Sequence, residues 1–496
     1  MPITTLVRRA TICILWLLAL WNSWECRGLF SDGAWELVEA VHKGGFFNFD
    51  NKAREYAIGT TQIPLVIGLK LGLTDLHWLS RLLSLGAFAL PTVLYQIALM
   101  RAKDDAVLLA AVVAAVAVVF LPGSFFIIGE YNTAYALAVA AAAWVTTSER
   151  PRLVDGIGLV MLAVLALRTY EVFSYLGPLL AVMIVCAIPR DLPKPLRLAG
   201  DSPIGRLLLM GLPITVAGLA FTGIFPAPIF ATALLVTATL LAWRHPRWRP
   251  SLAGALYLLA AALFLAGAVV ALDSSTRVYG TTVVQQTLFA FWPNAQFVLA
   301  LVATLIVVAW SLARPEALRG NRLYLWAGLP LALLALSPLL ALSDSIRPLG
   351  THAYAVRTIC GFVIAAIIAF IWARTAGPGA MLAAFGILKN PEAANRFLKF
   401  SFMLLLAALP AQILYTTTWI SFLDTVRTTV RTHQGVISQQ DTPPAISRYY
   451  WDGGDMTFIS DLSLVLRSRP GDGIISSPEV PQPGPPRSLG GYFWRD

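Results

Sequence analysis

Apolar stretches long enough to cross a lipid bilayer recur along most of the chain. A helix that spans about 30 Å of hydrocarbon needs roughly twenty apolar residues. Only 13% of the 496 residues are charged, about half the share in a soluble globular protein. The sequence therefore predicts an all-α, polytopic membrane protein with about 13 transmembrane helices. The predicted spans lie near residues 10–24, 76–100, 106–121, 133–145, 153–167, 173–188, 207–224, 229–243, 252–272, 295–312, 323–342, 358–372 and 400–413.

The N-terminal stretch is interpreted as an uncleaved anchor. Arg8 and Arg9 precede it, and Glu25, Cys26 and Arg27 follow it. A signal peptide would end in a small-residue cleavage site instead.

Lys and Arg residues are concentrated in alternate loops. With the N-terminus in the cytoplasm, the inner segments carry twenty of them and the short outer loops carry four, Arg168, Arg277, Arg347 and Arg357. Positive residues favour the cytoplasmic side, so an odd number of crossings predicts an extracytoplasmic C-terminus. The Ala- and Arg-rich composition is typical of a GC-rich bacterium, which predicts the bacterial inner (plasma) membrane.

Two outer regions are long. Residues 25–75 form a first outer loop within the transmembrane part, residues 1–413, and residues 414–496 form a small extracytoplasmic C-terminal segment. Apolar residues recur at helical spacing in the first loop, which predicts a helix lying flat in the interface. They are Ala34, Leu37, Val38 and Val41.

Shorter features complete these two regions. Residues 63–73 are apolar but too short to span, so we expect them to dip into the membrane edge. Residues 419–431 predict a separate helix at the start of the C-terminal segment. The Pro/Gly-rich sequence from about residue 470 predicts a lack of regular structure.

Several site types find no support in the residue pattern. The four cysteines are scattered, without a CxxC motif or a His cluster, so they predict neither a zinc site nor a disulfide framework. The net charge of +10 is attributed to basic inner loops, and no nucleic-acid partner is expected. The basic run at residues 244–249 is interpreted as an inner anchor.

Acidic residues gather in the predicted outer loops, most of them beside a polar or basic neighbour. Carboxylates can act as general bases, and arginine binds phosphate through two hydrogen bonds. One outer cavity is therefore predicted, for a substrate with a phosphate and a hydroxyl group. The candidates are Asp32, Glu36, Asp50, Glu130 with Tyr131 and Asn132, Arg168 with Glu171, Asp273 with Arg277, and Asp344 with Arg347 and Arg357.

Some of these candidates also have a purely structural interpretation. Asp32 follows Ser31 and could serve only as the N-cap of the next helix. Glu130 could mark a solvated helix end. Arg277, Arg347 and Arg357 could anchor the protein to lipid headgroups.

Four segments carry a resemblance to a known class. They are Phe30-Ser-Asp-Gly-Ala-Trp35 with its early acid, Gln62-Ile-Pro-Leu65 before a short apolar helix, Arg81-Leu-Leu-Ser84 opening the second span, and Gly129-Glu-Tyr-Asn132 after the third. With about thirteen spans, this arrangement resembles the GT-C class of membrane glycosyltransferases, which includes protein O-mannosyltransferases and the aminoarabinose transferase of lipid A. Thr61-Gln-Ile-Pro64 stands where relatives commonly have His-Pro-Pro.

The resemblance implies an inverting transferase that uses a polyprenyl-phosphate-linked sugar. Asp32 would be the general base for the hydroxyl of a glycan, lipid or protein acceptor. Glu130, the second catalytic candidate, and Glu171 would assist the base or orient sugar hydroxyls. Arg277, Arg347 or Arg357 would bind the phosphate, with Arg168 as a further candidate. Tyr131 and Asn132 would also bind the substrate. No cofactor is implied with certainty, and a divalent metal is left open without a clear ligand set.

Other functions fit the pattern less well. A transporter or flippase would show internal repeats or charges at mid-depth, and the sequence has no fixed-period repeat. An O-antigen ligase or polymerase would carry its large outer loop late in the chain. A structural scaffold would not need acid–arginine loops.

Overall fold

The apolar stretches form helices in a computed structural model of the chain. The structure describes residues 2–47, 52–124, 129–148, 152–187, 252–278, 360–361, 363–372, 391–438, 441–447, 457–476 and 489–495. About 80% of the described residues are helical, which confirms that the fold is mostly α-helical.

Helices fill most of the N-terminal part. They are α1 (Ile3–Trp24), a 3₁₀ turn (Arg27–Leu29), α2 (Asp32–Lys43), α3 (Glu55–Thr61), α4 (Ile63–Lys70), α5 (Leu76–Arg101), α6 (Ala106–Ala115), a π-helical turn (Val116–Phe120), α7 (Leu121–Gly123), α8 (Glu130–Thr147), α9 (Leu153–Ala166) and α10 (Phe173–Ala187).

The later described elements are fewer. They are α11 (Leu252–Val278), α12 (Val363–Trp372), α13 (Pro391–Thr432), β1 (Val436–Ile437), α14 (Pro444–Ser447), α15 (Thr457–Leu466) and β2 (Ile474–Ile475). The two short strands pair in parallel, with Val436 opposite Ile474.

Five of the described helices are long and apolar enough to cross a membrane. They are α1, α5, α6 with its continuation to Gly123, the Gly254–Ser274 part of α11, and α13. The predicted spans at residues 207–224, 229–243, 295–312 and 323–342 lie outside the described residues. The total of about thirteen spans therefore stays a prediction.

The first loop and the termini of several helices lie together at one end of the helix bundle. The Ser23 hydroxyl, at the end of α1, donates to the carbonyl of Arg81 near the start of α5 at 2.8 Å. Arg27 donates to the carbonyl of Ser124, just after α7, at 2.6 Å. We refer to this end of the bundle as the loop end.

Arg101 lies at the opposite end of the bundle. Its guanidinium pairs with Asp155, near the start of α9, and lies 3.8 Å from the ring centroid of Trp144, near the end of α8. Helices α1, α5, α6, α8 and α9 therefore alternate in direction between the two ends of the bundle.

Helix α13 runs without a break through the position where the C-terminal segment was predicted to begin. Its 42 residues would extend about 60 Å at 1.5 Å per residue, longer than a bilayer is thick. The predicted span 400–413 and the predicted helix 419–431 are thus one element. No Gly or Pro lies between them to end the helix, so the prediction of two separate helices was wrong.

Helix α2 forms where predicted, but its apolar face does not lie against lipid. Leu37 and Val38 are fully buried within the protein, and α15 of the C-terminal segment packs against α2. The helical period identified this face correctly; its partner comes from more than 400 residues further along the chain.

The C-terminal segment folds back on the loop end. The backbone N–H of Leu76 donates to the carbonyl of Phe493 at 3.0 Å, and the ring of Trp494 stacks on His77 with centroids 4.3 Å apart. Strand β2 also gives regular structure to part of the Pro/Gly-rich region, which was predicted to have none. Residues 477–488 lie outside the described residues.

Candidate active site at the loop end

A tight turn places Asp32 at the loop end. The N-cap of α2 is Ser31, whose φ of 56° is unusual for a residue other than glycine. Two glycines allow the backbone to pack closely at this turn, where a side chain would clash. A Cβ on Gly33 would lie 1.6 Å from the carbonyl oxygen of Gly28, and a Cβ on Gly28 would lie 2.8 Å from Cα of Ser84. Asp32 is the first helical residue, so its alternative role as the N-cap is wrong.

The turn is held against α13. The ring of Phe30 packs edge-on at 6.0 Å from Trp419, and the indole N–H of Trp419 donates to the carbonyl of Glu25 at 2.7 Å. These contacts fix the backbone immediately before Asp32, and Asp32 itself is half-buried.

Arg54 connects two of the predicted acids. Its Nε lies 2.9 Å from Oε1 of Glu171, and its Nη1 lies 3.9 Å from Oε2 of Glu130. The guanidinium also lies 5.0 Å from the ring centroid of Tyr170. Arg54 is 7% exposed and Glu130 is 9% exposed, so these interactions are shielded from water.

Asp32 and Glu36 belong to the same group of charges. Burial raises the pKa of Glu36 well above its ordinary value, and the neighbouring carboxyls of Glu130 and Asp32 raise it further. The side chain of Gln62 opposes this increase. We refer to Asp32, Glu36, Glu130 and Glu171 as the acid cluster.

Arg168 lies beside the acid cluster. Its guanidinium pairs with Glu55, and its backbone carbonyl accepts a hydrogen bond of 2.8 Å from the N–H of Tyr56. The structure thus holds the loop after α9 against the start of α3.

Tyr131 and Asn132 follow Glu130 into the bundle. The Tyr131 hydroxyl donates to the carbonyl of Gly123 at 2.8 Å. Asn132 is 1% exposed, and its amide nitrogen and oxygen form no hydrogen bond with any residue in the part of the chain that the structure describes. A buried polar group without a partner costs free energy, which marks Asn132 as unusual.

A second cluster of polar residues surrounds Arg27, which is buried behind the turn. Its Nη1 donates to the side-chain oxygens of Asn22, Gln412 and Thr416 at 3.1–3.2 Å, and its Nη2 to the carbonyl of Ser124. These bonds tie the start of the first loop to α13 and α7.

The remaining predicted positive groups are not described. Arg347 and Arg357, like Asp50 and Asp344, lie outside the described residues, as does the side chain of Arg277. Among the described residues, no three His, Cys, Asp or Glu side chains are arranged to hold a metal ion.

The structure thus brings together Asp32, Glu130 and Glu171, which sequence reasoning proposed, and adds Arg54 and Gln62, which it missed. The one clue to Arg54 in the sequence was that it is a basic residue in a predicted outer loop. Its partners could not be identified because they are separated from it in the sequence. No protein family, curated protein or solved structure matches this chain.

Proposed function

We propose that the protein is a membrane glycosyltransferase that moves a sugar from a polyprenyl-phosphate donor to an acceptor hydroxyl at the extracytoplasmic face. One observation carries the proposal: Asp32, Glu36, Glu130 and Glu171, from three separate parts of the chain, converge at one end of a bundle of apolar helices. Carboxyl groups concentrated at a membrane edge are costly and usually functional.

In the proposed reaction, Asp32 removes the proton from the acceptor hydroxyl. That oxygen forms a bond to the anomeric carbon while the bond from this carbon to the phosphate oxygen breaks. Polyprenyl phosphate leaves with the bonding electrons, and the anomeric centre is inverted. Glu130 and Glu171 would orient the sugar hydroxyls.

The leaving phosphate carries negative charge, so it needs nearby cations that are not already paired with carboxylates. Arg54 already faces two carboxylates and Arg168 faces Glu55. Phosphate binding is therefore assigned, within this proposal, to Arg277, Arg347 or Arg357. A divalent metal stays open as an additional source of charge.

The test uses purified full-length protein in lipid nanodiscs with a panel of polyprenyl-phosphate sugars. Wild type should transfer sugar from at least one donor, and Asp32→Asn should lower kcat by about 10²–10⁴-fold. Asp424→Asn, which alters an exposed acid of α13, is the matched control and should leave transfer unchanged.

Each contrary outcome has a distinct meaning. Equal turnover by wild type and Asp32→Asn would remove Asp32 from the mechanism. No transfer by wild type from any donor would contradict the transferase, and movement of the donor between leaflets without transfer would favour a flippase.

A further inference from the structure

A small space lies between Gly123, Asn132 and Cys360 at the loop end. A Cβ placed on Gly123 would lie 3.6 Å from Sγ of Cys360 and 3.9 Å from Oδ1 of Asn132. Apart from the residues next to Gly123 and the backbone of its own helix, no other described atom lies within 4 Å of that position. These distances are ordinary van der Waals contacts, so a small group fits between the three residues. We refer to this space as the Asn132 pocket.

Further contacts hold the walls of the Asn132 pocket in place. The hydroxyl of Tyr131 donates to the carbonyl of Gly123 at 2.8 Å. Sγ of Cys360 lies 4.0 Å from the carbonyl oxygen of Val119, which belongs to the π-helical turn before α7. Such turns are rare and often occur at functional sites. The protein itself therefore sets the positions of Gly123 and Cys360.

Asn132 supplies the polar surface of the pocket. It is 1% exposed, and its side-chain nitrogen and oxygen form no hydrogen bond with any described residue. Its Oδ1 is the atom that faces Gly123. A buried carbonyl oxygen is stabilised when a donor reaches it, so this amide indicates a ligand that donates a hydrogen bond into the pocket.

Other uncharged polar groups lie nearby. Gly361 follows Cys360 in the chain. A Cβ on Gly361 would lie 3.5 Å from the hydroxyl oxygen of Tyr135 and closer still to that of Tyr175. An amide, a thiol and phenol hydroxyls provide no positive charge for a phosphate or a carboxylate. A hydroxyl group, which is neutral and can both donate and accept, matches them better.

We propose that the Asn132 pocket binds one hydroxyl group of the transferred sugar, which donates a hydrogen bond to Oδ1 of Asn132. Asn132 follows Glu130 by two residues in α8, a rise of about 3 Å along the helix axis. A sugar beside the acid cluster therefore lies next to this pocket. The assignment rests on the proposed function, and it names the part of the substrate that Asn132 contacts.

Gly123→Ala tests the assignment because it places a methyl group in the pocket. The contacts of 3.6 and 3.9 Å leave room for this methyl, so the variant should fold. Binding of polyprenyl-phosphate sugars and of sugar-free polyprenyl phosphate is measured for purified full-length protein in lipid nanodiscs. Gly123→Ala should weaken binding of the sugar-bearing donor by about tenfold, the effect of one buried hydrogen bond. Its affinity for polyprenyl phosphate should not change.

Donors that lack one sugar hydroxyl in turn identify the group that is bound. The donor without this hydroxyl should bind wild type about tenfold more weakly than the complete donor. It should bind Gly123→Ala and wild type equally, because the hydrogen bond is already missing.

Gly59→Ala is the matched control. Gly59 lies in α3, and a Cβ there would meet no described atom within 4 Å, so this variant should bind every ligand as wild type does. Asn132→Leu changes the pocket from the opposite side. It should show the same selective loss of affinity, and it provides the test if Gly123→Ala does not fold.

Several results would overturn the sugar pocket. One is equal affinity of wild type and Gly123→Ala for every sugar-bearing donor. If the Tm of Gly123→Ala then also falls below that of wild type, the hydroxyl group in the pocket is that of a buried water molecule. Another is an equal loss of affinity for the sugar-bearing and the sugar-free lipid, which would show a general distortion. A wild type that binds no sugar-bearing donor would also contradict the pocket.

The outcomes separate this proposal from the transferase. If wild type transfers no sugar but Gly123→Ala selectively weakens binding of the sugar-bearing donor, the transferase proposal fails and the pocket stands. If wild type transfers sugar and Gly123→Ala binds the donor equally well, the pocket fails and the transferase stands.

Discussion

Nε of Arg54 lies 2.9 Å from Oε1 of Glu171, although 117 residues separate the two along the chain. This contact joins the first loop to the loop between α9 and α10. It places the carboxyl group of Glu171 beside that of Glu130, and Glu130 faces Asp32. The candidate site therefore depends on how helices from distant parts of the sequence pack.

Glu36→Gln should stabilise the protein more at neutral pH than in acid. Burial, Glu130 and Asp32 raise the pKa of Glu36 in the folded state, so the folded state binds its proton more tightly than the unfolded chain does. Folding stability therefore falls as pH rises from the ordinary pKa of 4.5 through the raised value. Glutamine removes this titration.

Thermal unfolding of wild type and Glu36→Gln at several pH values checks this prediction. The gap in Tm should widen as pH increases. A gap that is constant, or that widens toward acid, would contradict the raised pKa.

Asn132→Leu should increase stability by about 1–3 kcal/mol, because it removes a buried amide that bonds to none of the described residues. The same change should lower sugar transfer if the amide binds the substrate. Ser401→Ala is the matched control, since Ser401 is buried in α13 and its hydroxyl likewise forms no hydrogen bond within the described ranges.

Denaturation and transfer assays on both variants separate the two effects. Ser401→Ala should leave transfer unchanged, whereas Asn132→Leu should reduce it. An Asn132→Leu variant with full activity would exclude a substrate role for this residue.

Arg27→Met should destabilise the fold by about 1–3 kcal/mol, because buried acceptors that Arg27 now satisfies would lose their donor. These acceptors include the side-chain oxygens of Asn22 and Gln412. Arg427→Met, at an exposed pair, should change stability by less than about 0.5 kcal/mol. Equal unfolding curves for both variants would show that the Arg27 contacts contribute little.

Asp472→Asn should loosen the C-terminal segment. Burial alone would raise the pKa of Asp472, but hydrogen bonds from Ser468 and Arg469 outweigh it and lower the pKa below 3.8. The stability this provides is complete above the ordinary pKa and is lost as pH falls through the lowered value. Hydrogen exchange at Gly473 and Ile474 should therefore accelerate in the variant at neutral pH and converge with wild type in strong acid.

The sequence allowed much of the helical framework to be predicted, because apolar runs determine spans directly. The predicted spans near 76–100 and 106–121 correspond to α5 and to α6 with its continuation. The same use of hydropathy wrongly predicted two helices where α13 is one. Hydropathy falls near residue 414, but Thr416 and Thr418 still fit a helix, since their hydroxyls bond to carbonyls four residues earlier.

The site was predictable only in part, for a related reason. Acids at loop positions can be read from the sequence, and Asp32, Glu130 and Glu171 were chosen on that basis. The partners of each acid depend on helix packing. Nothing in the sequence near Arg54 links it to Glu171, and nothing near Arg27 links it to Gln412, 385 residues away.

The proposed transfer reaction requires that the acid cluster faces the extracytoplasmic side. Because the C-terminal segment docks on the loop end beside His77, one reporter can determine the side of both. A compartment-sensitive reporter fused after Asp496 should read extracytoplasmic. The same reporter fused after Asp104, in the loop between α5 and α6 at the opposite end, should read cytoplasmic. A cytoplasmic signal from the Asp496 fusion would contradict the orientation and, with it, the proposed site of transfer.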